Sequence, residues 1–276
     1  KRQEIDQWIL SVLNSLVKNV TIAYDDYEPT NAARLIQEFV DDNLSNWYVR
    51  LNRRRFWKGD YSEDKIMAYQ TLYTCLETLS KLMAPIAPFF SDFLFKNLNE
   101  VSGRLDASSV HLADFPVSEE TKIDVNLEER MYLAQSISSM VLSLRKKEKI
   151  KVRQPLAKVI IPIIKEDLQG KVEKVEDYIL NEINVKAMEY LSDTSGIISK
   201  SIKPNFKTLG PKYGKHMKAI SAEVASFDQT QIATIEEQGS YTFNIGSEEL
   251  VLEDTDFINS SDDIEGWLVT SDKGLT

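Results

Sequence analysis

Residues 41–60 read DDNLSNWYVRLNRRRFWKGD, and both the fold and the candidate chemistry turn on them. At 3.6 residues per turn Leu44, Trp47, Tyr48 and Leu51 share one side, which predicts an amphipathic helix. A cationic cluster follows: Arg50, Arg53, Arg54, Arg55 and Lys58, with Phe56 and Trp57 among the charges and a break at Gly59-Asp60. Cations at a helix end suit its dipole, which accounts for one or two of these arginines. Four arginines, a lysine and two flat rings also fit a second reading, a nucleic-acid grip. There guanidinium forks hold phosphates while rings stack on unpaired bases.

Working outward, Ile5, Trp8, Ile9, Val12, Leu13, Leu16, Val17 and Val20 predict an amphipathic first helix, ended by Asp25–Pro29. Thr30 is a candidate cap for the second helix, which is expected to run without interruption into the arginine cluster. Ser62 is expected to cap a third, buried along Ile66, Tyr69, Tyr73, Leu76, Leu79 and Met83. Two prolines in MAPIAPFF stop it near Ala84 and open a fourth helix near Pro88, reaching about Asn97. An extended connector, 102–116, precedes a fifth helix along Leu127, Met131, Ala134, Ile137, Val141 and Leu144.

Five helices with short joints predict an antiparallel α-helical bundle over 1–152. From Arg153 onward the pattern predicts a smaller α+β domain, 153–276, so the chain is mainly α. Strands are expected at 157–164, 185–191, 197–206, 231–235, 241–245, 249–252 and 267–270. Helices are expected over 170–183 and up to about Val224.

The 276 residues carry a net charge of −10, which opposes nucleic-acid binding only if the charge is evenly spread, and it is not. Residues 145–158 hold seven cations and one acid, 194–222 hold no acid, and 219–272 hold no Lys or Arg. Local patches decide what a polyanion feels within a Debye length of about 8–10 Å. The lone Cys75 allows no internal disulfide and favours a reducing, cytoplasmic setting. No apolar run approaches the roughly 18 residues of a membrane span. A start at Lys1 rather than Met raises the expectation that the chain is a piece of something longer.

No catalytic set assembles. His111 and His216 lie far apart, no Cys/His spacing suits zinc, and neither phosphate-loop pattern occurs. No catalytic or metal-binding residue is therefore expected here.

Several blocks in order then point to a family: DQWILSVLNSLVKNV, NWYVRLNRRRFW, APIAPFFSDFLF, RKKEKIKVRQPL, NEINVKAMEYL and KPNFKTLGPKYGK. Together they resemble the part that follows the catalytic core in class I aminoacyl-tRNA synthetases of the isoleucyl/valyl/leucyl group, most of all the isoleucyl branch. The resemblance covers residues 1 to about 218. It implies a bundle that binds the anticodon stem-loop of isoleucine tRNA, followed by a C-terminal extension. The HIGH and KMSKS signatures and a recognisable editing domain are missing. The resemblance therefore implies that aminoacylation, with its ATP and Mg2+, belongs to a catalytic domain of the same polypeptide outside this chain. No cofactor in this fragment, no membrane and a monomeric state are the matching expectations.

The expected tRNA-binding residues form three sets. Arg50, Arg53, Arg54, Arg55, Trp57 and Lys58 come first; Trp57 and Phe56 are candidates to stack on bases, with one or both closing the core as the alternative. Arg50 and Arg53 share a face, and one of them has Asp41, Asp42 or another bundle carboxylate as an alternative partner. Lys149, Lys151, Arg153 and Gln154 come second; Lys203, Lys207, Lys212 and Lys215 come third. Two rivals are a protein-docking module built on the acidic stretch 248–265 and the equivalent fragment of a valyl- or leucyl-tRNA synthetase.

Overall fold

The computed structural model describes residues 2–163, 166–191, 200–227, 231–232, 235, 239–245, 248–261 and 268. The chain divides into two compact units, Lys1–Tyr132 and Leu133–Thr276.

The first unit is helical. α1 (Glu4–Asp25) buries Ile5, Trp8, Ile9, Leu13, Leu16, Val17 and Val20, as its periodicity requires. Each such side chain contributes about 1.5–3 kcal/mol when fully buried. α2 (Pro29–Glu38) begins on Pro29 with Glu28 before it, not on a Thr30 cap. Proline suits a first helical position because its missing N–H has no intrahelical partner there. The expected unbroken second helix is three pieces: α2, a π-helical segment Phe39–Val49, and α3 (Arg53–Trp57). The i→i+5 winding brings Phe39 and Leu44, five apart, into the core together with Trp47 and Tyr48.

α4 (Glu63–Met83) starts on the expected cap, where Lys65 N–H donates to Ser62 Oγ at 3.2 Å. Its buried face is rotated from the expected one: Ala68, Thr71, Cys75, Leu79 and Leu82 are buried, while Ile66 and Tyr69 are each 42% exposed. Small residues on the inner face allow close helix approach. The tyrosines flank it instead, with Tyr69 OH on the Phe56 carbonyl at 2.9 Å. α5 (Pro88–Ser102) outlasts its expected end by more than a turn and stops at Gly103, φ 57°. Beyond it, Asp92 on α5 accepts from Ser109 Oγ (2.7 Å) and Val110 N–H (3.0 Å), which pins the connector's 3-10 turn Val110–Leu112.

α6 (Val125–Lys147) begins where Asp124 Oδ1 accepts from Leu127 N–H at 3.0 Å, and the division between units falls within it. In the second unit β1 (Leu156–Pro162) pairs parallel with β2 (Val185–Leu191), in register from Leu156↔Val185 to Pro162↔Leu191. The crossover runs through α7 (Glu166–Glu173) and α8 (Glu176–Ile183), two short helices where the sequence suggested one. β3 (Lys200–Pro204), α9 (Phe206–Tyr213) and α10 (Met217–Ala225) follow. β4 (Ser240–Ile245) and β5 (Glu248–Glu253) form an antiparallel hairpin, and β6 (Phe257–Ser261) pairs antiparallel with β3. Ile202, Leu209, Ile220, Val224, Leu250, Leu252 and Phe257 pack into one cluster. Described residues 231, 232 and 235 are helical, not the expected strand. Apart from Leu268, the expected strand at 267–270 lies outside the described residues. The expected architecture stands: mainly α, with a smaller α+β part after the helices.

Candidate nucleic-acid interface

The arginine cluster is not one outward-facing set. α3 is five residues long and is cut from the π-helical segment at Asn52, φ −89° and ψ 7°. Asn52 is buried; its Nδ2 donates to the Tyr48 carbonyl at 2.8 Å and its Oδ1 accepts from Arg55 Nη1 at 2.7 Å. Arg55 turns inward. Its Nη1 and Nη2 donate to the two oxygens of Asp6 at 2.9 and 3.0 Å, and Nε and Nη2 donate to Asp64 at 2.9 and 2.8 Å. Burial opposes the Arg55 charge, but the two carboxylates outweigh it and hold its pKa above the ordinary value. Tyr48 OH donates to the same Asp6 at 2.8 Å; burial first, and that bond second, push its pKa up. Arg55 is thereby corrected from the candidate site to a bolt joining α3 to α1 and α4. Its guanidinium is a planar fork, matched to two carboxylates and occupied by them.

Around this bolt the other members of the set are on the surface. Arg53, Arg54 and Lys58 are exposed and Trp57 is 82% exposed, while Arg50 is exposed just before α3. Phe56 closes the core, edge-on to Tyr48 (ring centroids 6.2 Å) and Tyr69 (5.3 Å). So the two aromatics divide, Phe56 inward and Trp57 outward.

In the second unit Lys149, Lys151, Arg153 and Gln154 are all exposed on the turn between α6 and β1. The turn leaves α6 through Lys149 at φ 56°, and Ile150 N–H donates to the Arg145 carbonyl at 2.8 Å. Arg145, from the same basic run, is buried. In the third set Lys203, Lys207 and Lys215 are exposed. Lys212 is held by Glu253 and by the fully buried Asp256, each at 3.0 Å, and these carboxylates raise its pKa. Lys212 is therefore corrected from a candidate phosphate contact to the partner of a buried acid in the β5–β6 turn.

Two residues that shape these surfaces escaped the sequence reading, and both left a signal. Asp6 lies three before Ile9 and seven before Leu13, a carboxylate in phase with a core face, which requires a cationic partner. Arg145 follows Ala134, Ser138 and Val141 at helical spacing, so its phase places it inward although its neighbours in sequence are solvated cations.

Among the described residues no group of three or more His, Cys, Asp or Glu could hold a metal ion, and no helix is long and apolar enough to cross a membrane. What the surface at α3 offers is exposed guanidinium and ammonium groups beside an exposed indole, chemistry suited to a phosphate backbone with unpaired bases.

The family model for the anticodon-binding domain of tRNA ligases matches residues 6–161. Curated relatives extend over the whole chain. An isoleucine–tRNA ligase of Bacteroides fragilis is 53% identical over 276 residues, and one of Cytophaga hutchinsonii is 54% identical over 277. A third, from Porphyromonas gingivalis, is 50% identical over 276 residues. All of this chain is covered in each case, against 24%, 25% and 24% of the relatives, so it spans about a quarter of their length. The helical architecture and the match over more than half of the residues agree: this chain belongs to the family of tRNA-ligase anticodon-binding domains.

Proposed function

We propose that this chain grips the anticodon stem-loop of isoleucine tRNA and so supports aminoacylation by a catalytic part of the same polypeptide. The observation that carries the reading is the division of labour on and beside α3. Arg55 is locked to Asp6 and Asp64, and the same turn presents Arg53, Arg54, Trp57 and Lys58 to solvent. Exposed cations fix the position of the RNA backbone, and the exposed indole stacks on a base splayed from the loop. Arg50 at the start of the cluster, the Lys149, Lys151, Arg153 and Gln154 turn, and Lys203, Lys207 and Lys215 add candidate contacts. Gln154 has both a donor and an acceptor for a base edge. ATP and Mg2+ serve the catalytic part in this reading, and the chain works as a cytoplasmic monomer within it.

The test is a titration of isoleucine tRNA and an unrelated tRNA against the chain at several salt concentrations. With about four phosphates neutralised by the cations at and beside α3, log K falls with log salt at a slope of roughly −3 to −4, and contacts from the other two sets steepen it further. Cognate tRNA binds tighter than the unrelated one, and Arg53→Ala with Arg54→Ala weakens both while helicity stays constant. A flat salt response, or an unchanged dissociation constant in that double variant, refutes the phosphate grip at α3.

A further inference from the structure

We propose that Arg145 is a positioning residue for tRNA binding: from inside the second unit it holds the backbone of the 149–154 turn, so that Lys149, Lys151 and Arg153 meet the RNA in a fixed arrangement. The proposal rests on the tRNA-binding reading above and adds to it a residue that cannot itself touch the RNA. Arg145 is 2% exposed. Its Nη1 donates to the carbonyls of Lys151 (3.2 Å) and Gln154 (3.0 Å), and its Nη2 to that of Asn184 (3.1 Å). Asn184 closes the arrangement from the other side. Its Nδ2 donates to the Val152 carbonyl at 2.8 Å, and its own carbonyl also accepts from Leu156 N–H at 3.2 Å.

The chemistry explains why an arginine stands there. A buried cation is costly to hold, and among the described residues Arg145 has no carboxylate to offset it. Burial accordingly lowers its pKa. An apolar residue would fill the space but leave the Lys151 and Gln154 carbonyls without this donor. A lysine, with its point charge, lacks the planar fork that reaches carbonyls on two separate segments at once. With the carbonyls of 151, 152 and 154 engaged inward, the exposed side chains of Lys149, Lys151 and Arg153 stand on backbone that is already ordered. Ordering then adds little to the cost of binding.

Four forms of the chain test this: Arg145→Met, the triple variant Lys149→Ala/Lys151→Ala/Arg153→Ala, their combination, and Asn184→Gly. Asn184 sits at φ 51°, which glycine adopts freely, so that change removes the bond to Val152 without straining the backbone. Each is titrated with isoleucine tRNA across a salt series, with circular dichroism as a control on folding. The triple variant makes the log K against log salt slope shallower by about 2–3, as three lost phosphate contacts require. Arg145→Met reproduces at least half of that change alone and adds nothing in the triple background. Asn184→Gly gives a smaller change of the same sign.

An effect of Arg145→Met that adds in full to the triple variant, or a slope it leaves unchanged, overturns the positioning role and leaves Arg145 a structural residue. A triple variant that binds like the parent removes this turn from the RNA interface, which is failure of the underlying reading and is told apart by that result alone. If Arg145→Met does not fold, Asn184→Gly decides: an unchanged slope there refutes the proposal.

Discussion

Arg54 and Arg55 are neighbours in one short helix, and exchanging each for an uncharged residue is expected to have opposite consequences. Arg55→Met leaves the Asp6 carboxylate, which is fully buried, with the Tyr48 hydroxyl and the Gln3 N–H as its only donors among the described residues. Breaking a buried ion pair from one side costs about 3–5 kcal/mol, because a charge remains in a medium that solvates it poorly. The Asp64 arm adds little, since that carboxylate is 43% exposed and surface pairs contribute about 0–1 kcal/mol. With a urea slope of about 2 kcal/mol per molar, the midpoint falls by roughly 1.5–2.5 M. Asp6→Asn in the Arg55→Met background removes the stranded charge and recovers part of the loss, a coupling visible in a double-mutant cycle. Arg54→Ala, at an exposed site, changes stability by no more than about 0.5 kcal/mol yet weakens tRNA binding. The assays are urea melts followed by circular dichroism and titration with isoleucine tRNA. Equal destabilisation by the two changes, or a midpoint for Arg55→Met within about 0.3 M of the parent, refutes the assignment of inward and outward roles.

Trp57→Ala is expected to weaken tRNA binding by about 1–3 kcal/mol, the range of one base–aromatic stack, and to leave the urea midpoint in place; a parental dissociation constant removes the stack. The Cys75 thiol is pushed up to about 12, chiefly by burial, so at pH 8 it should ignore a disulfide reagent until urea unfolds the helices. Rapid labelling of the native chain contradicts that burial. Asp92, held at about 2 by its bonds from Lys96 and Ser109, has a folded pKa below the ordinary carboxylate value of about 3.9. Its contribution is therefore fully present above that value and lost as pH falls through about 2, and Asp92→Asn should flatten stability in that window. A carboxyl resonance for Asp92 that titrates near 4 refutes the pinning of the 109–112 turn.

What the sequence carried, and what it lost, follows from which interactions are local. The α1 face, the Ser62 cap, the proline joint before α5 and the β1–β2 strands were legible because spacing and capping chemistry decide them within a few residues. The π-helical winding of 39–49 was not, since Leu44 and Trp47 satisfy an α-helical reading equally well and only packing selects the wider coil. The rotated face of α4 was lost for a similar reason: Tyr69 and Tyr73 outweigh Ala68 and Cys75 in a count of apolar residues, while close helix approach favours the smaller ones. The site suffered most from non-local pairing. Arg55 and Lys212 look like their neighbours until Asp6, 49 residues before, and Asp256, 44 residues after, are brought beside them.

Each of the three basic stretches engages one cation with partners of the fold and leaves others exposed, and on the tRNA-binding reading this pattern bears on how an acidic chain can hold RNA. Arg55 is taken by Asp6 and Asp64, Arg145 by three carbonyls, and Lys212 by Glu253 and Asp256. The engaged group pairs with the fully buried Asp6 in the first run and Asp256 in the third, so these two acids no longer act as free negative charge. It also fixes the backbone from which its neighbours project, whose flexible stems would otherwise lose more freedom on meeting a phosphate. Net charge is then a poor guide to the interface. What matters is that each local run holds more cations than the fold uses, and the surplus, Arg53, Arg54 and Lys58 in the first run, stands on backbone that the spent one has made rigid.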